Sequence, residues 1–255
     1  MTPSELAQKL KLYSDCPQLE AKWIFEKTTD TKKINQILKR RKNSEPLSKI
    51  LKRKSFWKYD FITNKDVLDP RADSEILIQA VLDLFPDKNT PYQIADIGTG
   101  SGCLLLSLLG EYKNAKGFGF DISPKALNTA KKNAKHLNIK AHFIKKDMRQ
   151  IDDSFDFAVS NPPYIPTKDI EKLDKNVRLY DPISALDGGE DGLDYYRILS
   201  QKTTIPVLFL EIGKGQKTAI CKIFKKQKWQ VVKQYKDYGK IIRVLVFQKN
   251  ACKRK

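Results

Sequence analysis

The sequence predicts an α/β protein with a mostly parallel sheet, preceded by a small helical domain and a β-hairpin linker. Short apolar strands alternate with helical segments after residue 73, and this alternation is typical of parallel sheets. A glycine-rich turn, Gly98 to Gly102, lies between a strand and a helix, which is the order found in nucleotide-type sites. Two late strands, separated by a short turn around Asp237 to Gly239, predict a hairpin that makes the last strand antiparallel.

The first part of the chain carries three segments with apolar residues at helical spacing: Ser4 to Tyr13, Gln18 to Thr28 and Thr31 to Lys42. They predict a helical domain over residues 1–50. Ser55 to Ile62 is short and aromatic, which favours a hairpin, and we assign residues 51–72 to a linker. A helix from about Ser74 to Leu84 then opens a catalytic domain, which we assign to residues 73–255.

The catalytic domain contains seven predicted strands: Gln93 to Asp96, Gly117 to Asp121, one that ends near Asp147 and Met148, Phe155 to Ser160, Val207 to Glu211, Trp229 to Tyr235 and Ile241 to Gln248. An apolar helix, Cys103 to Leu109, follows the glycine turn. Open α/β sheets bind their ligands beyond the carboxyl ends of the strands. Candidate functional residues are therefore those that follow the first, second, third and fourth strands.

The glycine turn predicts an adenosine-bearing ligand. Gly98, Gly100 and Gly102 permit a tight turn and a close backbone approach, and the lysine of a phosphate-binding loop is absent, so a triphosphate is not expected. Roughly twenty residues on, Asp121 ends a strand at the usual place for a carboxylate that binds ribose hydroxyls. A dinucleotide dehydrogenase would share both features, so this turn alone does not separate the two cofactors.

The segment Asn161-Pro162-Pro163-Tyr164 distinguishes them. Proline fixes its own φ and restricts the residue before it, so this backbone is stiff. An amide or ring nitrogen is a poor nucleophile because its lone pair is delocalised. The side-chain oxygen of Asn161 and the carbonyl of Pro162 can accept its two N–H groups, and they would face the positive charge that develops on it.

Tyr164 adds a flat apolar surface for a planar acceptor. The segment thus predicts methylation of a planar nitrogen by S-adenosylmethionine, which needs no metal. In isolation the same four residues would indicate only a strand followed by a proline turn.

Composition limits the partners without naming one. The net charge is +18, and clustered basic residues can neutralise phosphate. Lysine dominates, however, and is spread over every segment, with the densest runs at Lys39 to Lys42, Lys52 to Lys54, Lys225 to Lys228 and the tail Lys253 to Lys255. Solvated faces are therefore favoured over a nucleic-acid site, and long-range attraction of an acidic partner is a further alternative.

The four cysteines, Cys16, Cys103, Cys221 and Cys252, show no close pairing and no Cys-x-x-Cys spacing. This pattern predicts a reduced, cytoplasmic protein without a metal site. The amino terminus does not have the pattern of a signal peptide, and no apolar run is long enough to cross a bilayer.

Five segments together resemble the successive signatures of the HemK/PrmC family: Pro70 to Glu75, Asp96 to Gly102, Asn161 to Tyr164, Ala185 to Leu193 and Glu211 to Gln216. The resemblance spans about residues 40–248. It implies a seven-stranded, Rossmann-like S-adenosylmethionine-dependent methyltransferase domain. It also implies transfer of the methyl group to the side-chain nitrogen (N5) of the glutamine in the Gly-Gly-Gln motif of peptide chain release factors.

The resemblance also implies roles for individual residues. The methionine part of the donor would be lined by Gly98, Thr99, Gly100, Ser101 and Gly102. Asp121 would bind its ribose, and Asp147 with Met148 its adenine. Asn161 is also assigned to the donor site. The acceptor glutamine would be held by Asn161, Pro162, Pro163 and Tyr164.

Two departures from the family pattern are visible. Met148 stands where an aromatic residue is common, which replaces adenine stacking with a softer sulfur contact. In the first segment Ser74 replaces threonine and Ala72 replaces proline. We expect Arg71 and Glu75 to stabilise the opening helix.

The roles of one further segment and of one further residue are less specific. The sequence Ala185 to Leu193 is expected to be ordered at the rim of the site, although its glycines would also suit a surface loop. The role of Glu211, to bind substrate backbone or only to satisfy nearby N–H groups, is left open.

Several functions remain distinct alternatives. The expected partner is a peptide chain release factor, with a monomeric enzyme, no stable nucleic-acid complex and no membrane. A glutamine methyltransferase for a large-subunit ribosomal protein would use the same clamp. An adenine-N6 DNA or guanine RNA methyltransferase would act on a flipped base, but the interval Thr167 to Thr204 offers little room for target recognition. A basic binding module with an inactive cofactor fold is the non-enzymatic alternative.

Overall fold

The computed structural model describes residues 1–202 and 204–249. Its first part contains four helices: α1 (Pro3–Leu10), α2 (Pro17–Lys27), α3 (Thr31–Lys42) and α4 (Leu47–Leu51). The three predicted helices are confirmed, whereas α4 was not predicted because its five residues are too few to show a helical period. Leu6, Ile24 and Ile34 are fully buried in an apolar core of their own. We call residues 1–51 the helical unit.

The helical unit is also held together by a buried ion pair. The guanidinium of Arg41 in α3 donates to both carboxylate oxygens of Glu20 in α2, at 2.9 and 2.8 Å. The same side chain donates to the backbone carbonyls of Tyr13 and Glu45. Buried charges are tolerated when they are paired and hydrogen-bonded in this way, so the pair fixes the packing of α2 on α3.

The aromatic segment forms the predicted hairpin. Strands β1 (Arg53–Phe56) and β2 (Tyr59–Ile62) are antiparallel, with Phe56 opposite Tyr59. Phe56 and Phe61 are buried in the core that covers one face of the main sheet. The hairpin is therefore packed against the catalytic part of the chain.

The main sheet has seven strands: β3 (Gln93–Ile97), β4 (Lys116–Asp121), β5 (His142–Lys145), β6 (Phe157–Ser160), β7 (Val207–Glu211), β8 (Trp229–Lys236) and β9 (Ile242–Lys249). Their order across the sheet is β5-β4-β3-β6-β7-β9-β8. The first five of these run parallel, and β9 is antiparallel to both β7 and β8. The predicted fold class, with an antiparallel last strand, is confirmed.

Five helices cover the two faces of the sheet: α5 (Glu75–Leu84), α6 (Cys103–Glu111), α7 (Pro124–Leu137), α9 (Asp194–Ser200) and α10 (Lys217–Lys226). The short helix α8 (Lys175–Arg178) has no buried residue and lines an open cleft instead. A 3-10 turn, Ala72–Ser74, leads into α5. One apolar core contains Leu105 of α6 and Phe209 of β7, and the other contains Leu210 of β7 and Phe224 of α10. The alternation of strand residues between the two faces accounts for this three-layer arrangement.

The end of β5 differs from the prediction. The strand stops at Lys145, before the expected end near Asp147 and Met148. The carboxylate of Asp147 accepts a hydrogen bond from the backbone N–H of Arg149 and so begins a 3-10 turn at Met148–Gln150. A short polar side chain that bonds to its own backbone competes with a strand, which explains the early ending.

Within the described residues, no helix has both the length and the apolar composition needed to cross a membrane. Cys16, Cys103 and Cys221 are free thiols. Cys252 and the basic tail Lys253 to Lys255 lie outside the described residues.

Candidate active site

The carboxyl ends of β3, β4 and β6 meet at one edge of the sheet, and the glycine turn begins there. Gly98, Gly100 and Gly102 all have positive φ, at 78°, 53° and 80°, a region that only glycine adopts readily. A Cβ at Gly98 or Gly100 would meet no atom within 4 Å. Backbone conformation, rather than crowding, therefore requires glycine at these two positions, and the space above the turn is open.

Asp121, at the end of β4, is joined directly to the glycine turn. Its Oδ2 accepts from the backbone N–H of Gly100 at 2.9 Å, and its Oδ1 accepts from the N–H of Ser123 at 2.8 Å. Burial raises the pKa of this carboxyl, while these backbone bonds oppose the rise. Asp121 thus fixes the two turns that follow β3 and β4 relative to each other.

Asp96 is a further acid at this edge, and the sequence reading assigned it no role. It is fully buried, and its Oδ2 accepts a 2.6 Å hydrogen bond from the Thr99 hydroxyl. Its Oδ1 has no partner among the described residues. Burial raises the pKa of Asp96 to about 7. An unsatisfied buried acceptor is costly, so this oxygen is suited to a donor group on a ligand.

The remaining residues predicted to bind cofactor lie around the same edge. Thr99 and Ser101 are buried within the turn, and the carbonyl of Ser101 accepts from the Asn133 amide at 2.9 Å. Asp147 and Met148 follow β5, beside β4 in the sheet. Met148 is partly buried against the apolar core of the second face.

Asn161 follows β6 and lies in the wall of a separate cavity of about 260 Å³. Its Nδ2 donates to the hydroxyl of Ser74 at 3.1 Å, and that hydroxyl donates to Glu211 Oε2 at 2.5 Å. Among residues 1–202 and 204–249 no hydrogen bond to Asn161 Oδ1 is formed. Pro162 and Tyr164 line the same cavity. The structure therefore brings these three predicted residues together and leaves an amide oxygen available.

Glu211, whose role the sequence left open, is one of the residues that line this cavity. It is only 2% exposed, and burial raises the pKa of its carboxyl to about 7. Its backbone carbonyl accepts from the Tyr196 hydroxyl at 2.8 Å. Its carboxylate binds a side-chain hydroxyl, that of Ser74, and this contact joins β7 to the residue just before α5.

The segment Ala185 to Leu193, here called the glycine-acid segment, contacts the backbone around Tyr164. Ile165 forms a β-bridge with Asp187, and the N–H of Gly188 donates to the carbonyl of Ile165 at 2.8 Å. A Cβ at Gly192 would collide with the carbonyl oxygen of Tyr164. The segment is therefore folded against the cavity rim, and glycine there permits its close approach to the Tyr164 backbone.

Two arginines that the sequence reading did not place in the site line the cavity. Arg71 donates to Asp181 at 2.6 Å, and its side chain is 43% exposed. Arg243 of β9 pairs with Asp73 at 3.1 Å and with Asp237 at 2.8 Å. Arg71 thus lies in the cavity wall, whereas Glu75 accepts from the backbone N–H of Trp57 in the hairpin. The partners of Arg71 and Glu75 are 110 and 18 residues away in the chain, so neither contact lies within the opening helix.

A larger open cleft, of about 1500 Å³, lies between the helical unit and the hairpin. None of the residues predicted to bind the methyl donor or the acceptor lines it. It does share Arg71 and Val177 with the cavity around Asn161, so the two spaces are neighbours.

The chain is similar to known proteins in sequence and in fold. A family model described as the methyltransferase small domain matches residues 65–177. The release factor glutamine methyltransferase of Caulobacter vibrioides is 41% identical over 226 residues, covering 85% of this chain and 78% of that protein. The enzyme of the same name from Buchnera aphidicola is 34% identical over 266 residues, covering 94% of this chain and 95% of that protein. A crystal structure of a methyltransferase from Pyrococcus furiosus is similar in fold, with a TM-score of 0.56 and 18% identity over 85% of this chain and 98% of that one.

Proposed function

Because this chain belongs to the release factor glutamine methyltransferase family, we propose that it methylates the glutamine side chain of the Gly-Gly-Gln motif in peptide chain release factors. The methyl donor is S-adenosylmethionine, and the acceptor is the amide nitrogen N5. The observation that carries the acceptor assignment is the orientation of Asn161, whose Nδ2 is bonded to Ser74 while its Oδ1 has no partner in the described part of the chain.

The residues at the edge of the sheet fit the donor. The glycine turn leaves open space above Gly98 and Gly100, and Asp96 holds a buried acceptor without a partner, which suits an ammonium or another N–H group. In this proposal Asp121 binds the ribose, Asp147 and Met148 contact the adenine, and residues 98–102 hold the methionine part. When bound, S-adenosylmethionine supplies an electrophilic methyl group on a sulfonium.

The cavity supplies the acceptor geometry. Asn161 Oδ1 and the Pro162 carbonyl accept the two N–H groups of the glutamine amide, and Tyr164 supports its planar face. Two fixed acceptors stabilise the positive charge that develops on nitrogen during transfer, without reorganisation at that moment. The proton is lost to solvent once the nitrogen is methylated and acidic, so no side chain need act as a strong base.

We propose that residues 1–50 dock the substrate protein and that residues 73–255 catalyse methyl transfer. Residues 51–72 connect these two parts. The separate core of the helical unit supports this division. The cleft between the helical unit and the hairpin borders the acceptor cavity at Arg71 and Val177, so a protein bound along it would reach Asn161. In this proposal the enzyme is a cytoplasmic monomer that forms no stable complex with nucleic acid.

The test offers labelled S-adenosylmethionine with purified release factor, large-subunit ribosomal proteins and DNA in parallel, and locates the label by mass spectrometry. Label on the glutamine of the Gly-Gly-Gln motif supports the proposal. Label on a ribosomal-protein glutamine, or on a base, would replace it with one of those substrates. The variant Asn161→Ala serves as the negative control for chemistry, since we expect it to bind donor without transferring the methyl group.

A further inference from the structure

We propose that Ser74 and Glu211 form a hydrogen-bond relay that fixes the orientation of the Asn161 side-chain amide, and that both act as positioning residues for methyl transfer. This inference rests on the proposed function, because it concerns how Asn161 presents its oxygen to the acceptor. Neither residue needs to touch the reacting atoms for this role. Both affect transfer through Asn161.

The relay crosses three elements of the fold. Asn161 Nδ2 lies 3.1 Å from Ser74 Oγ, and Ser74 Oγ lies 2.5 Å from Glu211 Oε2. Ser74 is 3% exposed and Glu211 is 2% exposed. Water therefore does not compete for these groups, and unmade bonds would be costly there. The three residues come from the loop after β6, the turn before α5 and the end of β7.

The donors and acceptors in the relay determine its direction. An ionised carboxylate can only accept, and a serine hydroxyl has one proton to donate. When Glu211 is ionised, Ser74 donates that proton to it, and Ser74 Oγ can then only accept from Asn161. The amide must place its NH₂ group towards Ser74. Its carbonyl oxygen is consequently on the other side, where the acceptor N–H groups would bind.

A neutral Glu211 would remove this constraint. The carboxylic acid could donate to Ser74, whose own proton would then be free to bond the amide oxygen of Asn161. The amide of Asn161 would then also be stable in the reversed orientation. Its NH₂ group would point towards the substrate and would oppose the N–H groups of the acceptor glutamine, which are donors too. The relay thus requires a charged carboxylate beneath Ser74.

Burial, together with the groups around Glu211, determines the pH at which its carboxyl ionises. Burial raises the pKa of Glu211 to about 7, while Ser74, Arg243 and Asn161 oppose the rise and Asp73 adds to it. The charge of Glu211 also acts on Tyr164, Tyr196 and Cys103, and burial raises the pKa of all three, so they stay neutral around pH 7. Since the ionised form is the productive one, turnover should rise with pH through about 7 and level off above it.

The test compares Ser74→Ala with Ser74→Thr. The first removes the hydroxyl, and the second keeps it. Single-turnover methylation of release factor should slow at least about tenfold in Ser74→Ala, which is less than the roughly 100- to 1000-fold loss typical when a preorganised group at the reacting atoms is removed, and its pH dependence near neutrality should disappear. Ser74→Thr should recover both the rate and the pH dependence. Glu211→Gln, which keeps hydrogen bonding without the charge, should be slow and insensitive to pH in this range.

Ser107→Ala is the matched control. Ser107 is a fully buried serine in α6 whose hydroxyl has no partner among the described residues, so its loss should change neither rate nor pH profile. Donor affinity, measured by calorimetry, should be unchanged in all the Ser74 variants. If Ser74→Ala keeps the wild-type rate and pH profile on release factor, the relay is refuted while the proposed function stands. If the wild-type protein itself transfers no methyl group to release factor, both are refuted.

Discussion

The ammonium of Lys49 lies 3.0 Å from Oδ1 of Asp181, and this contact joins α4 of the helical unit to the segment that follows α8. Lys49 also lies 2.8 Å from Asp69, and all three side chains are at least nine-tenths buried. The other oxygen of Asp181 accepts from Arg71, which lies in the wall of the cavity that contains Asn161. A continuous set of ion pairs therefore connects the helical unit with the cavity.

Replacing Lys49 by methionine should destabilise the protein strongly. Removing one partner of a buried ion pair leaves an uncompensated charge and typically costs about 3 to 5 kcal/mol. Here two carboxylates, Asp69 and Asp181, would lose their shared cation. Urea unfolding of Lys49→Met against wild type measures the change. Lys9→Met, at an exposed position of α1, is the control and should change stability little. An equally small effect of Lys49→Met would show that the buried pairs contribute no net stability.

Stability should also fall in acid because of Asp69. Burial raises the pKa of this carboxyl, but the charge of Lys49 and hydrogen bonds from Lys49, Ser48 and Thr63 outweigh that effect, so its pKa is lowered in the folded protein. A carboxyl with a lowered folded-state pKa stabilises the protein above its unfolded pKa, and this contribution is lost as pH falls through the folded value. Chemical unfolding from pH 6 down to pH 3 should therefore show a decline. Part of that decline should be absent in Asp69→Asn.

Asn161→Ala should abolish most methyl transfer while leaving donor binding intact. The variant loses an acceptor that matters most when charge develops on nitrogen, which by analogy with an oxyanion donor costs about 2 to 4 kcal/mol of barrier. Single-turnover rates measure the first effect and calorimetry with S-adenosylmethionine the second. Asn114→Ala, which removes an exposed amide bonded to Asn89, is the matched control. Near-normal turnover in Asn161→Ala would exclude the clamp.

Asp121→Asn should weaken donor binding. The substitution keeps the size of the side chain but removes the charge that accepts from the N–H groups of Gly100 and Ser123. In the proposed function the same carboxylate also accepts from the ribose hydroxyls of the donor. Hydrogen bonds to a charged group contribute about 1.5 to 3 kcal/mol, so the dissociation constant for S-adenosylmethionine should rise at least about tenfold. Calorimetry measures it. Asp87→Asn, which lies before the amino end of β3 and so at the opposite edge of the sheet, should leave the affinity unchanged.

Gly192→Ala should slow transfer by displacing Tyr164. Gly192 has φ +75°, and a Cβ there would collide with the Tyr164 carbonyl. Gly215→Ala is a matched control, because Gly215 has φ +84° and open space around a Cβ. Both variants incur the strain of a left-handed backbone, about 1 to 2 kcal/mol, but only the first also meets a steric clash. Equal rates in the two variants would show that the glycine-acid segment does not support the acceptor cavity.

The sequence predicted the strand order along the chain and the residues that follow each strand, because strand patterns and turn residues are local signals. Asn161, Gly98 and Asp121 could be found in this way. Ser74 and Glu211 could not be paired, since they are 137 residues apart in the chain. Arg71 looked like a residue that stabilises a nearby helix, yet its partner Asp181 is 110 residues away. Contacts of this range depend on how the layers pack, which periodicity does not encode.

The turn of the hairpin is attached to α6. The indole of Trp57 donates to Glu111 at 2.9 Å, and Lys58 pairs with the same carboxylate. The segment that leads from the helical unit into the sheet domain is consequently anchored rather than free to swing. A chimaera that exchanged residues 1–51 for those of a relative would hold the foreign surface at the same distance from Asn161. If residues 1–50 dock the substrate protein as proposed, such an exchange should alter which protein is methylated, provided that it retains Lys49 and its ion pairs with Asp69 and Asp181.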